Sequence, residues 1–255
     1  MSCPFVAFLL LQRLGDYGTS NSELREFSSP SRWRKGASHL LVPNTNESER
    51  NMDDQSLIAA ASHDDAAAVL ALLERGAKVD AVNENGSTPL MVSSFCGHAA
   101  VQAALIHQGA NVQATNAAGK TALMFAAGAG RAAAIAMLLD NAAHVDAATE
   151  NGTTALMSAA LGGHLEAVTL LLGRGANIEA ANENGMTALT AAAFGGHAAA
   201  VTALLERGAK KEVSDNNGMT AVKLAEQNGH ANVAALLAGL KDAENAPLPD
   251  EDDDL

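Results

Sequence analysis

Residues 182–213 read NENGMTALTAAAFGGHAAAVTALLERGAKKEV. Gly185, near the start of this stretch, has counterparts at Gly86, Gly119, Gly152 and Gly218, each 33 residues from the next. A threonine follows two places later every time: Thr88, Thr121, Thr154, Thr187 and Thr220. A fixed period of this length marks a stack of repeated units, in which each copy buries its apolar face against its neighbours.

The unit can be read residue by residue. Asn-Gly pairs at 85–86, 151–152, 184–185 and 217–218 favour tight reversals with positive φ. The threonine stands where its hydroxyl can accept from the free N–H groups that open a helix. A short first helix follows, as over residues 188–194, and Gly-Gly-His at 195–197 breaks it. A second helix over 198–207 carries a Leu pair that recurs at 72–73, 138–139, 171–172 and 204–205, with Leu105-Ile106 in the remaining copy. Gly-Ala at 76–77, 109–110, 175–176 and 208–209 ends it, since glycine accepts the left-handed conformation that closes a helix.

Two copies depart from this pattern. The one starting at Asp53 lacks Gly-x-Thr and carries Asp53, Asp54, Asp64 and Asp65, which fits a terminal cap with one polar face. The copy from Asn116 to Ala148 has Arg131 in place of the turn histidine and Ala142 in place of the closing glycine. An alanine forced to positive φ costs on the order of 1 kcal/mol. Asn141 is placed to take that conformation instead, and this copy is predicted to be the least stable unit.

Charge narrows the function classes. The 255 residues carry a formal charge of −13. Residues 53–241 hold ten Lys/Arg against seventeen Asp/Glu, and residues 242–255 hold seven acids and no base. This is the wrong sign for replacing counterions on nucleic acid or adsorbing to an anionic membrane. No apolar run approaches the ~20 residues that span a bilayer. Cys3 and Cys96 make no disulfide framework and are expected as reduced thiols, which places the protein in the cytoplasm or nucleus.

Residues 1–52 do not share the period. They hold the only Trp (Trp33), the only Tyr (Tyr17) and three of six Phe. They read as a disordered leader, with an organelle-targeting segment or a stretch upstream of a start at Met52 as the other readings. SSPSRWRKGAS at 28–38 suits a transit peptide, whereas Asp16, Glu23 and Glu26 do not. Residues 242–255, with Pro247, Pro249 and an acidic run from Asp250 to Asp254, read as a disordered acidic tail.

Gly-x-Thr-Pro-Leu at 86–90, Gly-His at 97–98, 163–164, 196–197 and 229–230, and Leu-Leu-x-x-Gly-Ala at 72–77 and 204–209 resemble the ankyrin repeat. The resemblance covers residues 53–241, about three quarters of the chain. It implies an all-α solenoid of about six stacked helix–turn–helix units joined by hairpin-like loops. Pro89 is alone at its position, and Met91, Met124, Met157, Thr190 and Lys223 stand where the family has a histidine.

The resemblance also implies where a partner would bind. In this family the turn residues and the end of the first helix face a concave side. Carried over, these are Glu84, Ser87, Lys120, Glu150, Glu183 and Met186 at the turns, and Phe95, Leu161 and Phe194 on the first helices. Acidic tips over apolar points suit a basic protein partner, or one presenting an apolar helix or peptide. The three apolar residues also have a purely structural reading, as filler between Ala-rich helices.

Catalytic and metal readings are weaker. His98, His164, His197 and His230 recur once per unit, roughly 10 Å apart for packed helix layers, too far to share one metal ion. They are expected to bond nearby backbone, and His63, His107 and His144 to lie on the surface. Gly128-Ala129-Gly130 imitates a phosphate loop but follows a helix where that motif needs a strand. The expectation is a non-enzymatic, monomeric interaction scaffold with no cofactor. The alternative is a chaperone that cradles apolar segments of client proteins.

Overall fold

The computed structural model describes residues 45–244, with side-chain burial over 51–239. The leader expected up to residue 52 lies mostly outside the described residues, as does most of the expected acidic tail. Among the described residues are twelve helices in six pairs and no extended strand, so the chain is an all-α solenoid. They are α1 (Thr45–Ser62), α2 (Ala66–Glu74), α3 (Pro89–Cys96), α4 (Ala99–His107), α5 (Ala122–Gly128), α6 (Ala132–Asp140), α7 (Ala155–Leu161), α8 (Leu165–Gly173), α9 (Ala188–Phe194), α10 (Ala198–Glu206), α11 (Ala221–Gln227) and α12 (Ala231–Glu244).

Odd-numbered helices form one row and even-numbered helices another. Neighbours in the first row approach more closely than neighbours in the second. The reason is side-chain size. Ala126-Ala127, Ala159-Ala160 and Ala192-Ala193 are all buried in the first row, and one methyl per residue lets helix axes come together. The second row holds the bulk, with Leu105, Leu138, Leu171 and Leu204 fully buried in register. A stack tight on one side and wide on the other curves towards its first helices.

Capping follows the sequence reading. The hydroxyls of Thr88, Thr121, Thr154 and Thr187 accept from the backbone N–H three residues on, whereas Thr220 makes no such bond. Two further ladders tie each copy to the next. In one, a ring nitrogen of His98, His164, His197 and His230 donates to the carbonyl of Ala61, Gly128, Leu161 and Phe194, each at 3.0 Å. The backbone partner is thus the end of the preceding copy's first helix. In the other, Asp80, Asp146 and Glu179 accept from the backbone N–H of Asn111, Asn177 and Lys210 in the following copy.

The structure revises three details. Arg131 does not leave a gap, because its Nε donates to Phe95 O at 3.1 Å and fills the histidine's place in the ladder. Ala142, not Asn141, takes the left-handed conformation, with φ of 62° against −104° for Asn141. The first copy does not set its acids on one solvated face. Asp53 pairs with Arg75 at 2.7 Å and Asp54 accepts from Lys78 N, both residues being largely buried, while Asp64 and Asp65 stay exposed and Asp65 caps α2.

One polar residue breaks the buried column Val69, Ile135, Val168 and Val201. Gln102 stands there fully buried, donating through Nε2 to Ala134 O and Ser94 Oγ. The soft joint expected in the third copy therefore rests on Ala142 alone. Ala142→Gly is expected to raise stability by about 1 kcal/mol in urea unfolding. Residues 119–142 should exchange amide hydrogens fastest among the inner copies, and if they are the most protected the idea fails.

Candidate functional site

The turns between copies are built to be rigid. Asn83 Oδ1 accepts from the N–H of Asn85 (3.0 Å) and Ser87 (2.9 Å), and Gly86 N closes back on Asn83 O at 2.9 Å. Asn116, Asn182 and Asp215 repeat the arrangement, and Thr149 Oγ1 takes the same place in accepting from Thr153 N. Neighbouring turns also bond one another: Ala117 N donates to Asn85 O, Glu183 N to Asn151 O and Asn216 N to Asn184 O, at 2.8–3.1 Å. At Gly86 this contact leaves no room for a side chain, since a Cβ would lie 2.9 Å from Ala117 N. The tips are therefore bonded to one another in two runs along the first-helix row, the Asn83 and Asn116 turns in one and the Thr149, Asn182 and Asp215 turns in the other.

Glu84, Glu150 and Glu183 project from these tips and are exposed. Lys120 lies between Glu84 and Glu150 in sequence and is half-buried; burial pushes its ammonium below the usual lysine pKa. Met186 is half-buried against the core. Ser87 belongs elsewhere. Its side chain is fully buried, so it cannot touch a partner, and it leaves the set. At this turn position a lysine can snorkel outward, whereas a short hydroxyl is enclosed.

The far ends of the first helices carry the apolar points. Phe95 and Phe194 are half-buried, and Leu161 is 39% exposed. These three share one helical position with Gly128 and Gln227, so the row reads Phe95, Gly128, Leu161, Phe194, Gln227. Gly128 has no side chain, and a Cβ built there meets only Ser158 Cβ, at 3.8 Å. A notch therefore separates Phe95 from Leu161. Sequence reading missed it because Gly128 looked like part of a phosphate-loop imitation rather than a missing member of an apolar row.

Among the described residues no three His, Cys, Asp or Glu converge as a metal site, and no helix is long and apolar enough to cross a membrane. Two open grooves lie on the second-helix row, one lined by Ala132, Ala136, Glu166 and Leu170, the other by Ala103, Ile106 and Met137. His63, His107 and His144 are exposed, as expected.

A family model described as ankyrin repeats in three copies matches residues 34–116, 100–182 and 174–246. Among solved structures, the chain is similar to an ankyrin repeat domain from Acinetobacter baumannii AYE. The identity is 30% over 73% of this chain and 97% of that one, with a TM-score of 0.63. It is also similar to the ankyrin repeat protein EF0377, at 31% identity over 72% of this chain and 97% of that chain, with a TM-score of 0.63. No curated protein matches it.

Proposed function

Since the chain belongs to the ankyrin-repeat family, whose members mediate protein–protein interaction, we propose that it is a non-enzymatic scaffold binding a basic protein segment along its first-helix face. One observation carries the reading: Leu161, exposed and apolar, shares its face with rigid turn tips that present Glu84, Glu150 and Glu183. Exposed apolar points supply burial at the centre of an interface, and rim charges steer encounter and select the sign of the partner. The scaffold acts as a monomer, because the curved face is open to a partner and needs no second copy to complete it.

The test uses the full chain and a panel of basic and acidic amphipathic peptides. Reversing Glu84 and Glu183 together to lysine should lower the association rate of basic peptides by about tenfold at low salt and flatten its salt dependence. Leu161→Ala should act mainly on dissociation. If neither change alters binding, the face is wrongly assigned. Uniform binding of many uncharged apolar peptides would point to the chaperone reading instead.

A further inference from the structure

The last residue of each inner first helix lies over the copy that follows. A Cβ at Gly128, the last residue of α5, would stand 3.8 Å from Cβ of Ser158, the fourth residue of α7. The 33-residue register repeats this pairing along the stack: Phe95 over Phe125, Leu161 over Ala191 and Phe194 over Leu224. Phe125, Ala191 and Leu224, each with a side chain in that place, are buried. Of the four, Ser158 alone stays half-exposed, because Gly128 puts nothing above it.

The uncovered place can accept an apolar group. Ser158 Oγ donates to Thr154 O at 3.0 Å, so a ring laid over it strands no donor. Gly128 is helical and half-exposed, which leaves the place open from outside. We propose that a binding partner supplies the side chain this copy lacks: one phenylalanine of its basic segment seats on Ser158, between Phe95 and Leu161. The chain itself carries phenylalanine at two of the three equivalent places, Phe95 and Phe194. One copy is roughly 10 Å thick, the room of a single ring.

The basic residues of the same segment answer Glu84 and Glu150, whose copies flank this one on either side. Each lies one copy along the stack and one short helix away from the ring, a diagonal of about 14 Å that about four extended residues cover. The inference rests on the first-helix face being the binding surface.

The full chain is titrated with a lysine-rich peptide holding one phenylalanine, and with its alanine counterpart. The phenylalanine peptide should bind about tenfold tighter. Gly128→Phe fills the place from within, as Phe95 does in the second copy, and should cancel that advantage while leaving the affinity of the alanine peptide unchanged. Gly128→Leu, on the pattern of Leu161, should do the same with a smaller side chain if the ring unsettles the fold, and circular dichroism checks both variants. In the wild type the amide resonance of Ser158 should shift with the phenylalanine peptide and stay in place with the alanine one. Equal affinity of the two peptides overturns the inference and leaves the face standing. An advantage that survives in both Gly128 variants seats the phenylalanine elsewhere and overturns it too. Binding of neither peptide removes the face itself, and the inference with it.

Discussion

Gly163→Ala is expected to destabilise the stack by about 2–3 kcal/mol, far more than an added methyl at a helix break would suggest. Gly163 has φ of 70°, and a Cβ there would lie 2.3 Å from Nδ1 and 2.5 Å from Cγ of His197. The ring cannot retreat without losing its 3.0 Å bond from Nε2 to Leu161 O. The substitution therefore combines left-handed strain with a broken bond between copies. With His197→Ala already in place the clash is gone, and the same change should cost only the strain, about 1–2 kcal/mol. Urea unfolding of the wild type, both single variants and the double variant completes the cycle. Strict additivity would mean that the ring does not occupy that space.

Leu171→Ala should cost about 3 kcal/mol, and Leu172→Ala about half of that. Leu171 is fully buried, whereas Leu172 is half-buried at the margin of the same cluster. The penalty is set by how far neighbours can collapse into the void. Here the cluster includes Ala159, Ala160 and Ala167, whose single methyls have no rotamer that fills a gap. Thermal or urea unfolding of both variants decides the matter, and equal losses would show that the two leucines share the core alike.

Much of this architecture was legible because its signals are local. The turn glycines, the capping threonines and the closing glycines each act within three or four residues, so a 33-residue comparison exposed them. Bonds between copies were less legible. The turn histidines were expected to bond nearby backbone, but their carbonyl partners stand 36 or 37 residues back, at the end of another helix. Arg131 looked like a defect because letters were compared, whereas the ladder needs only an N–H at the right reach. Asn141 was favoured for positive φ on intrinsic preference, but the position of the closing turn overrode it and put Ala142 there.

Which of the residues proposed for a binding face stand exposed was legible only in part. Glu84, Glu150 and Glu183 are exposed because turn tips have nothing above them to bury a carboxylate. Ser87 and Lys120 occupy equivalent places, yet side-chain length alone sends one inward and leaves the other half-exposed. Neither its depth nor the empty position at Gly128 can be read from a motif, since both depend on what the adjoining copies contribute.

The ring-to-carbonyl ladder points one way: each later copy donates and each earlier one accepts. A gene encoding such a chain can gain or lose whole units by unequal recombination, because a duplicated segment arrives with a donor for the copy before it and an acceptor for the copy after. Most junctions here are interchangeable in that sense. The one between the second and third copies is not, because Gln102 and Arg131 are matched to each other's surroundings across it. Lengthening or shortening by recombination should therefore be tolerated after the third copy and resisted at that joint.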